Sequence, residues 1–194
     1  MKNFVALSVL FLLSFFTANA QTPSFEDFKA QFEQAALPFS LNAADLQAQV
    51  ENRSANAKRL SWEFYQFLPE LERSAQYSSM PVFPEPVAVF ETENNIAFLY
   101  NIARGLGKGT KSYSITVYDR FGNYIATNFV AGINSNNITT VAIDAELMAT
   151  VAELDLGSKL TGQQVIDLTA PGNPDQLDWS SLEVENNATM TAAK

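Results

Sequence analysis

The stretch RGLGKGTKSYS, residues 104–114, sets three glycines and two lysines ahead of a serine, the residue types from which a backbone loop builds a phosphate cradle. A P-loop needs Gly, four residues, then Gly-Lys-Ser/Thr at the start of a helix, because the helix N-terminus supplies the N–H groups that meet the anion. Thr110 stands where the glycine before Lys111-Ser112 is required, and Gly109 stands where Gly107-Lys108 needs a hydroxyl. A dinucleotide fingerprint fails too, since its third glycine would fall at Thr110. The following SYSITVYD alternates with period two and is β-branched and aromatic, so the loop opens a strand. Arg104, Lys108 and Lys111 make it the basic tip of a hairpin.

Carboxylates are the other chemistry within reach. The chain has no His and no Cys, which excludes Ser-His-Asp and Cys-His nucleophile systems and zinc sites built on imidazole or thiolate. A glycosidase pair needs two acids about 5–10 Å apart across a cleft. Glu91/Glu93 and Asp144/Glu146 are the neighbouring acids available, at predicted turns and strand ends where acids are ordinarily solvated. No D-x-D-x-D-G calcium pattern occurs. The expectation is therefore no catalytic residue, no metal site and no cofactor, with a carboxylate-based hydrolase of glycans as the enzymatic alternative.

The chain's ends and charge set its expected location and partners. MKNFVALSVLFLLSFFTANAQ carries one cation, an apolar run from Phe4 to Phe16 and small residues at Ala18 and Ala20, the pattern of a secretory signal peptide cleaved after Ala20. That run is shorter than the ~20 residues of a spanning helix, and no later stretch is longer and as apolar. Losing residues 1–20 removes Lys2 and no acid, so the formal charge moves from −9 to −10. Such a surface argues against nucleic acid and anionic lipid as partners. Without Cys, the chain has neither a disulfide framework nor a lipoprotein anchor. A secreted or periplasmic protein is expected, with no stable membrane insertion of the mature chain. NRS, NIT and NAT, at Asn52, Asn137 and Asn187, match the N-glycosylation acceptor pattern.

The expected fold is α+β: N-terminal helices packed on an antiparallel β-meander of five to seven strands, in a single domain over 21–184 with a disordered polar tail at 185–194. Ser24 caps a first helix, with Asp27 three residues on and Phe25, Phe28 and Phe32 on one face; ALPFSL ends it. A second helix runs from Ala43 to about Ala57 with Leu46 and Val50 inward. A third, in SWEFYQFLPEL, carries a Leu60, Phe64, Phe67, Leu71 stripe and is frayed or closed by Pro69. Together they form a helical layer over about 23–75. Pro81, Pro84 and Pro86 make 78–86 an extended connector. The meander then spans 87–169. Its strands turn at Asn94-Asn95, at the glycine-rich loop and at Asp119 to Gly122, where Asp first and Gly fourth fit a type I turn followed by a left-handed glycine. ITTVAID and LTGQQVIDLT read as further strands. Residues 145–154 suit helix or strand, and the strand after a turn at DAEL is preferred. Trp179 is expected to dock LDWSSLEV.

VYDRFGNYI, residues 117–125, is similar to one unit of the YD-repeat family, in which such hairpins recur to build a large shell. The resemblance covers these nine residues, with no array of copies, and implies a hairpin alone.

Register arithmetic supplies one binding lead. Pairing Tyr118 with Tyr124, Val117 with Ile125, Ile102 with Tyr113 and Phe98 with Val117 puts Phe98, Tyr100, Ile102, Ile115, Val117, Ile125 and Phe129 on a core face. Pairing Phe90 with Leu99 then leaves Phe90, Leu99, Tyr118 and Tyr124 as a semi-exposed surface for a protein or glycan partner. The function expected is a non-catalytic binding or protein-interaction domain. A structural or assembly component pairing through a sheet edge is the second alternative.

Overall fold

The computed structural model describes residues 22–51, 58–71, 82–104 and 111–171. The expected leader, the loop at 105–110, Trp179 and its segment, the tail from Glu185, and Asn52 and Asn187 lie outside the described residues.

The architecture is mostly antiparallel sheet with a few short helices. The strands are β1 (Phe39–Leu41), β2 (Val82–Glu91), β3 (Asn95–Arg104), β4 (Lys111–Asp119), β5 (Tyr124–Ile133), β6 (Asn137–Ile143), β7 (Met148–Asp155) and β8 (Leu160–Asp167). β2 to β8 follow one another as a seven-strand meander, and β1, in the segment expected only to end a helix, joins β6 as the eighth. β5 pairs with β6 only at Gly132↔Thr139 and Ile133↔Ile138. The rest of that edge of β6 belongs to β1, through Phe39↔Ile143, Ser40↔Ala142 and Leu41↔Val141.

The first helix is shorter than the sequence suggests. α1 is Phe25–Lys29, opened by a capping box in which the Ser24 side chain accepts from the Asp27 N–H and the Asp27 carboxylate accepts from the Ser24 N–H. α2 is Ala43–Glu51, where Asn42 and Asp45 cap each other in the same reciprocal way at 3.1 and 3.0 Å. The third is a 3₁₀ turn, Trp62–Phe67. Pro69 does not merely close it: a new helical turn starts there, at the position where a missing N–H costs nothing. Among the described residues no helix is long and apolar enough to cross a membrane.

The Pro-rich segment is not a free connector. From Val82 it is part of β2, with Pro84 opposite Ile102 and Pro86 opposite Tyr100, and a bulge follows before Ala88. Proline is tolerated because β2 is the first strand in the sheet order. Its outer edge is bonded to other chain segments: the Leu60 N–H donates to the Pro84 carbonyl at 2.8 Å. The Ala35 N–H donates to Val89 at 3.0 Å, and the Val89 N–H to Glu33 at 2.9 Å.

Three hairpins close with one device. In Asp119–Asn123, Asp144–Met148 and Asp155–Lys159 the aspartate N–H donates to the carbonyl four residues on. Its Oδ1 accepts the N–H of that same residue, at 2.8 Å in each case. The fourth residue takes positive φ: Gly122 at 83°, Leu147 and Ser158 at 63°. A side chain in that conformation costs about 1–2 kcal/mol. Gly122→Ala is therefore expected to destabilise the protein by about 1 kcal/mol, and Ser158→Gly, at an exposed site, to stabilise it by a similar amount. Urea unfolding of the two variants checks both signs. The DAEL turn makes residues 148–155 strand, as preferred from the sequence.

Two apolar clusters occupy the two faces. One gathers Phe90, Leu99, Ile115, Val117, Ile138, Val141, Ile143 and Val151 with Leu41 and Leu46. The other gathers Phe98, Tyr100, Ile102 and Tyr118 with Phe28, Phe32, Leu60, Phe64, Leu68 and Leu71. The Phe98 ring lies 4.7 Å from that of Phe28 and 5.0 Å from that of Phe32.

Candidate functional site

The four residues expected to form one surface are divided between the two faces. Phe90 and Leu99 are fully buried in the first cluster, while Tyr118 is buried in the second with Tyr124 packed against it. The two tyrosines meet, rings edge-on at 5.9 Å. The cause is a one-residue slip: Ile102 pairs with Ser112 and Phe98 with Thr116, so Leu99, not Phe98, shares a face with Ile115. One residue of slip moves every side chain to the other face. A bulge after Tyr118↔Tyr124 shifts Val117 to Ala126, where Ile125 was expected. The Asn94-Asn95 turn also sits one residue earlier, giving Phe90↔Ala97.

The acidic neighbours have structural partners. Glu91 binds Lys29 at 2.6 Å and also Arg120, and these two cations, Lys29 foremost, hold its carboxyl below the usual range. Asp144 Oδ1 accepts from the Glu146 and Met148 N–H groups in the hairpin turn. Glu93 and Glu146 are exposed. Among the described residues no group of three or more acids is gathered as a metal ion would need.

One carboxyl that sequence reasoning passed over is unusual. Glu70 is 4 % exposed, and neither of its oxygens has a partner in full hydrogen-bond geometry. Burial pushes it up to about 7, against smaller opposing effects of its own backbone N–H and the Thr127 hydroxyl. Thr127 belongs to a buried polar chain, its hydroxyl 2.8 Å from that of Thr116, which lies 2.9 Å from the Tyr100 hydroxyl. Nearby, the Tyr118 hydroxyl donates to the Phe67 carbonyl. Burial, then the Glu70 and Tyr124 charges, push that phenol up. The only hint in the sequence was Glu70's place between Leu68 and Leu71, both buried. Almost without exposure, this group can store a proton.

The last strand is different in kind. β8 has exposed residues on both faces, and its only ladder is with β7, from Met148↔Asp167 to Leu154↔Leu160. Its other edge has no partner strand among the described residues. The Leu168 N–H donates to the Leu147 carbonyl at 3.1 Å. Because antiparallel hydrogen bonding alternates, Ile166, Gln164 and Gly162 turn their backbone groups toward β7, and Asp167, Val165 and Gln163 turn theirs outward. Val165 is 62 % exposed and Leu160 53 %. Nothing comparable to the prolines and backbone contacts on the outer edge of β2 protects this one among the described residues. No known family model, curated protein or solved structure matches the chain.

Proposed function

We propose that this chain is an exported, non-catalytic interaction domain that takes up an extended polypeptide strand along the outer edge of β8. The observation that carries this reading is the outward-turned backbone of Gln163 and Val165 on a strand exposed on both faces. Strand addition draws its affinity from main-chain hydrogen bonds, so it needs neither a pocket nor a catalytic group. In this reading the N-terminal helices are a fixed cover over the sheet's aromatic face. The glycan-hydrolase alternative has less support, since Glu91 and Asp144 hold turns and ion pairs and Glu70 stands alone.

Amide exchange tests the reading on the chain exported with its own leader, at low concentration, using a short peptide that alternates valine with lysine to suit the acidic surface. Peptide is expected to slow exchange at Gln163 and Val165 and to leave Gln164, already turned to β7, unchanged. Val165→Pro, which removes an outward N–H and no β7 bond, is expected to abolish the effect. Unchanged exchange at both outward amides would overturn the proposal.

A further inference from the structure

We infer that the strand taken up by β8 is β8 of a second copy of this chain, in a two-fold antiparallel pair centred on Val165. This rests on the edge-pairing reading and adds the identity of the partner. The part of β8 free of irregularity runs from Gly162, because the register shift in its pairing falls between Glu153↔Gly162 and Leu154↔Leu160. Within it the outward-turned residues are Gln163, Val165 and Asp167, and Val165 is their midpoint. A two-fold contact must be self-complementary. Placing the axis at Val165 sets it opposite its own copy and sets Gln163 opposite Asp167.

The chemistry of that register is favourable at each step. Val165, 62 % exposed in the single chain, gains an apolar cross-strand neighbour. A neutral amide faces each Asp167 carboxylate, so no like charges meet, although the chain as a whole carries −9. From Leu160 to Ile166 the strand has no charged residue and no proline, the two devices that ordinarily keep sheet edges apart. Leu156 and Leu160, 59 % and 53 % exposed, lie on the same hairpin.

The absence of cysteine makes a direct test available. In a hydrogen-bonded antiparallel pair the facing Cα atoms are about 5.5 Å apart, inside the ~4.4–6.8 Å that a disulfide spans. Mild oxidation of Val165→Cys, in the chain exported with its own leader, is expected to give a covalent dimer. Phe121→Cys, exposed at the β4–β5 turn, is the control and should give no covalent dimer. Sedimentation velocity of the unaltered chain should show a dimer that grows with concentration and that Gln163→Pro suppresses. A chain that sediments as a monomer at every concentration, or equal cross-linking at residues 121 and 165, overturns the inference. If the valine–lysine peptide still protects Gln163 and Val165 in that monomer, edge pairing stands and only the identity of the partner falls. If it does not, both fall.

Discussion

Phe98→Ala is expected to cost about 3–5 kcal/mol of stability, the range for removing a large aromatic from a packed interior. Phe98 is fully buried, and four rings surround it: Phe25 at 5.6 Å, Phe28 at 4.7 Å, Phe32 at 5.0 Å and Tyr118 at 5.9 Å. Three of them, Phe25, Phe28 and Phe32, lie on one short segment and Tyr118 on β4, so the space left by the ring cannot close by moving one side chain. A domain of ordinary stability has about 5–15 kcal/mol in total, and this one change would consume much of it. Phe121→Ala provides the contrast: Phe121 is 92 % exposed, and its loss should stay within about 0.5 kcal/mol. Urea denaturation of both variants, followed by tyrosine and tryptophan fluorescence, measures the difference. A loss at Phe98 as small as that at Phe121 would mean that the aromatic cluster does not hold the sheet.

The second large effect is a dependence on pH. In the unfolded chain Glu70 titrates near its ordinary value of 4.5, whereas in the folded chain it keeps its proton up to about 7. Between those values the native state binds more protons, so stability falls as pH rises through the window. A displacement of this size corresponds to roughly 3 kcal/mol, or a melting temperature lower by about 6–12 °C for a chain of this length. The opposite sign applies to Glu91, held down by Lys29 and Arg120, and to Asp27, Asp119 and Asp167, held down by hydrogen bonds from Ser24, Asn123 and Thr169. Their contributions are present above the ordinary carboxylate values and are lost as pH falls from those values through the lower ones of the folded state. Greatest stability is therefore expected near the lower end of the window, in mild acid. Glu70→Gln, which keeps the shape and removes the titration, should flatten the melting temperature between pH 4.5 and about 7. A variant that still loses stability across that window would assign the dependence to another group.

Much of the sheet was legible because hairpin turns announce themselves. Asp119 and Gly122 located the β4–β5 turn and the Tyr118↔Tyr124 pair. The strand reading of residues 148–155 followed from the turn before it. Register was not legible, for a physical reason. Ile96 to Ile102 and Tyr113 to Tyr118 are buried at every position, with polar Asn101, Ser114 and Thr116 among them, so odd and even places on β3 and β4 are equally removed from water. Alternation assigns a face only when the other face meets water. Two registers one residue apart then look equally good, and the six glycine-rich residues 105–110, expected from the sequence as a loop, do not decide between them. Phe90, Leu99, Tyr118 and Tyr124 were grouped on that ambiguity. Bulges are equally silent, since an extra residue carries no composition of its own. The Pro-rich start of β2 was misread because proline was weighed against a central strand, and β2 begins the sheet. Glu70 was hidden because an acid after Pro69 reads as solvated until the fold encloses it. β8 was visible as a strand, but the lack of a partner strand on its outer edge among the described residues is a property of the sheet order, which no single segment encodes.

The pairing of β1 with β6 brings together Leu41 and Val141, about a hundred residues apart, while the meander strands are neighbours in sequence as well as in space. Closing so long a loop is entropically costly and is repaid only when the distant strand is in place. The order of synthesis runs the other way, since β1 is made first and has no partner until residue 143 exists. The earliest strand of the sheet therefore waits while about a hundred further residues, roughly half of the polypeptide, are made before its partner exists.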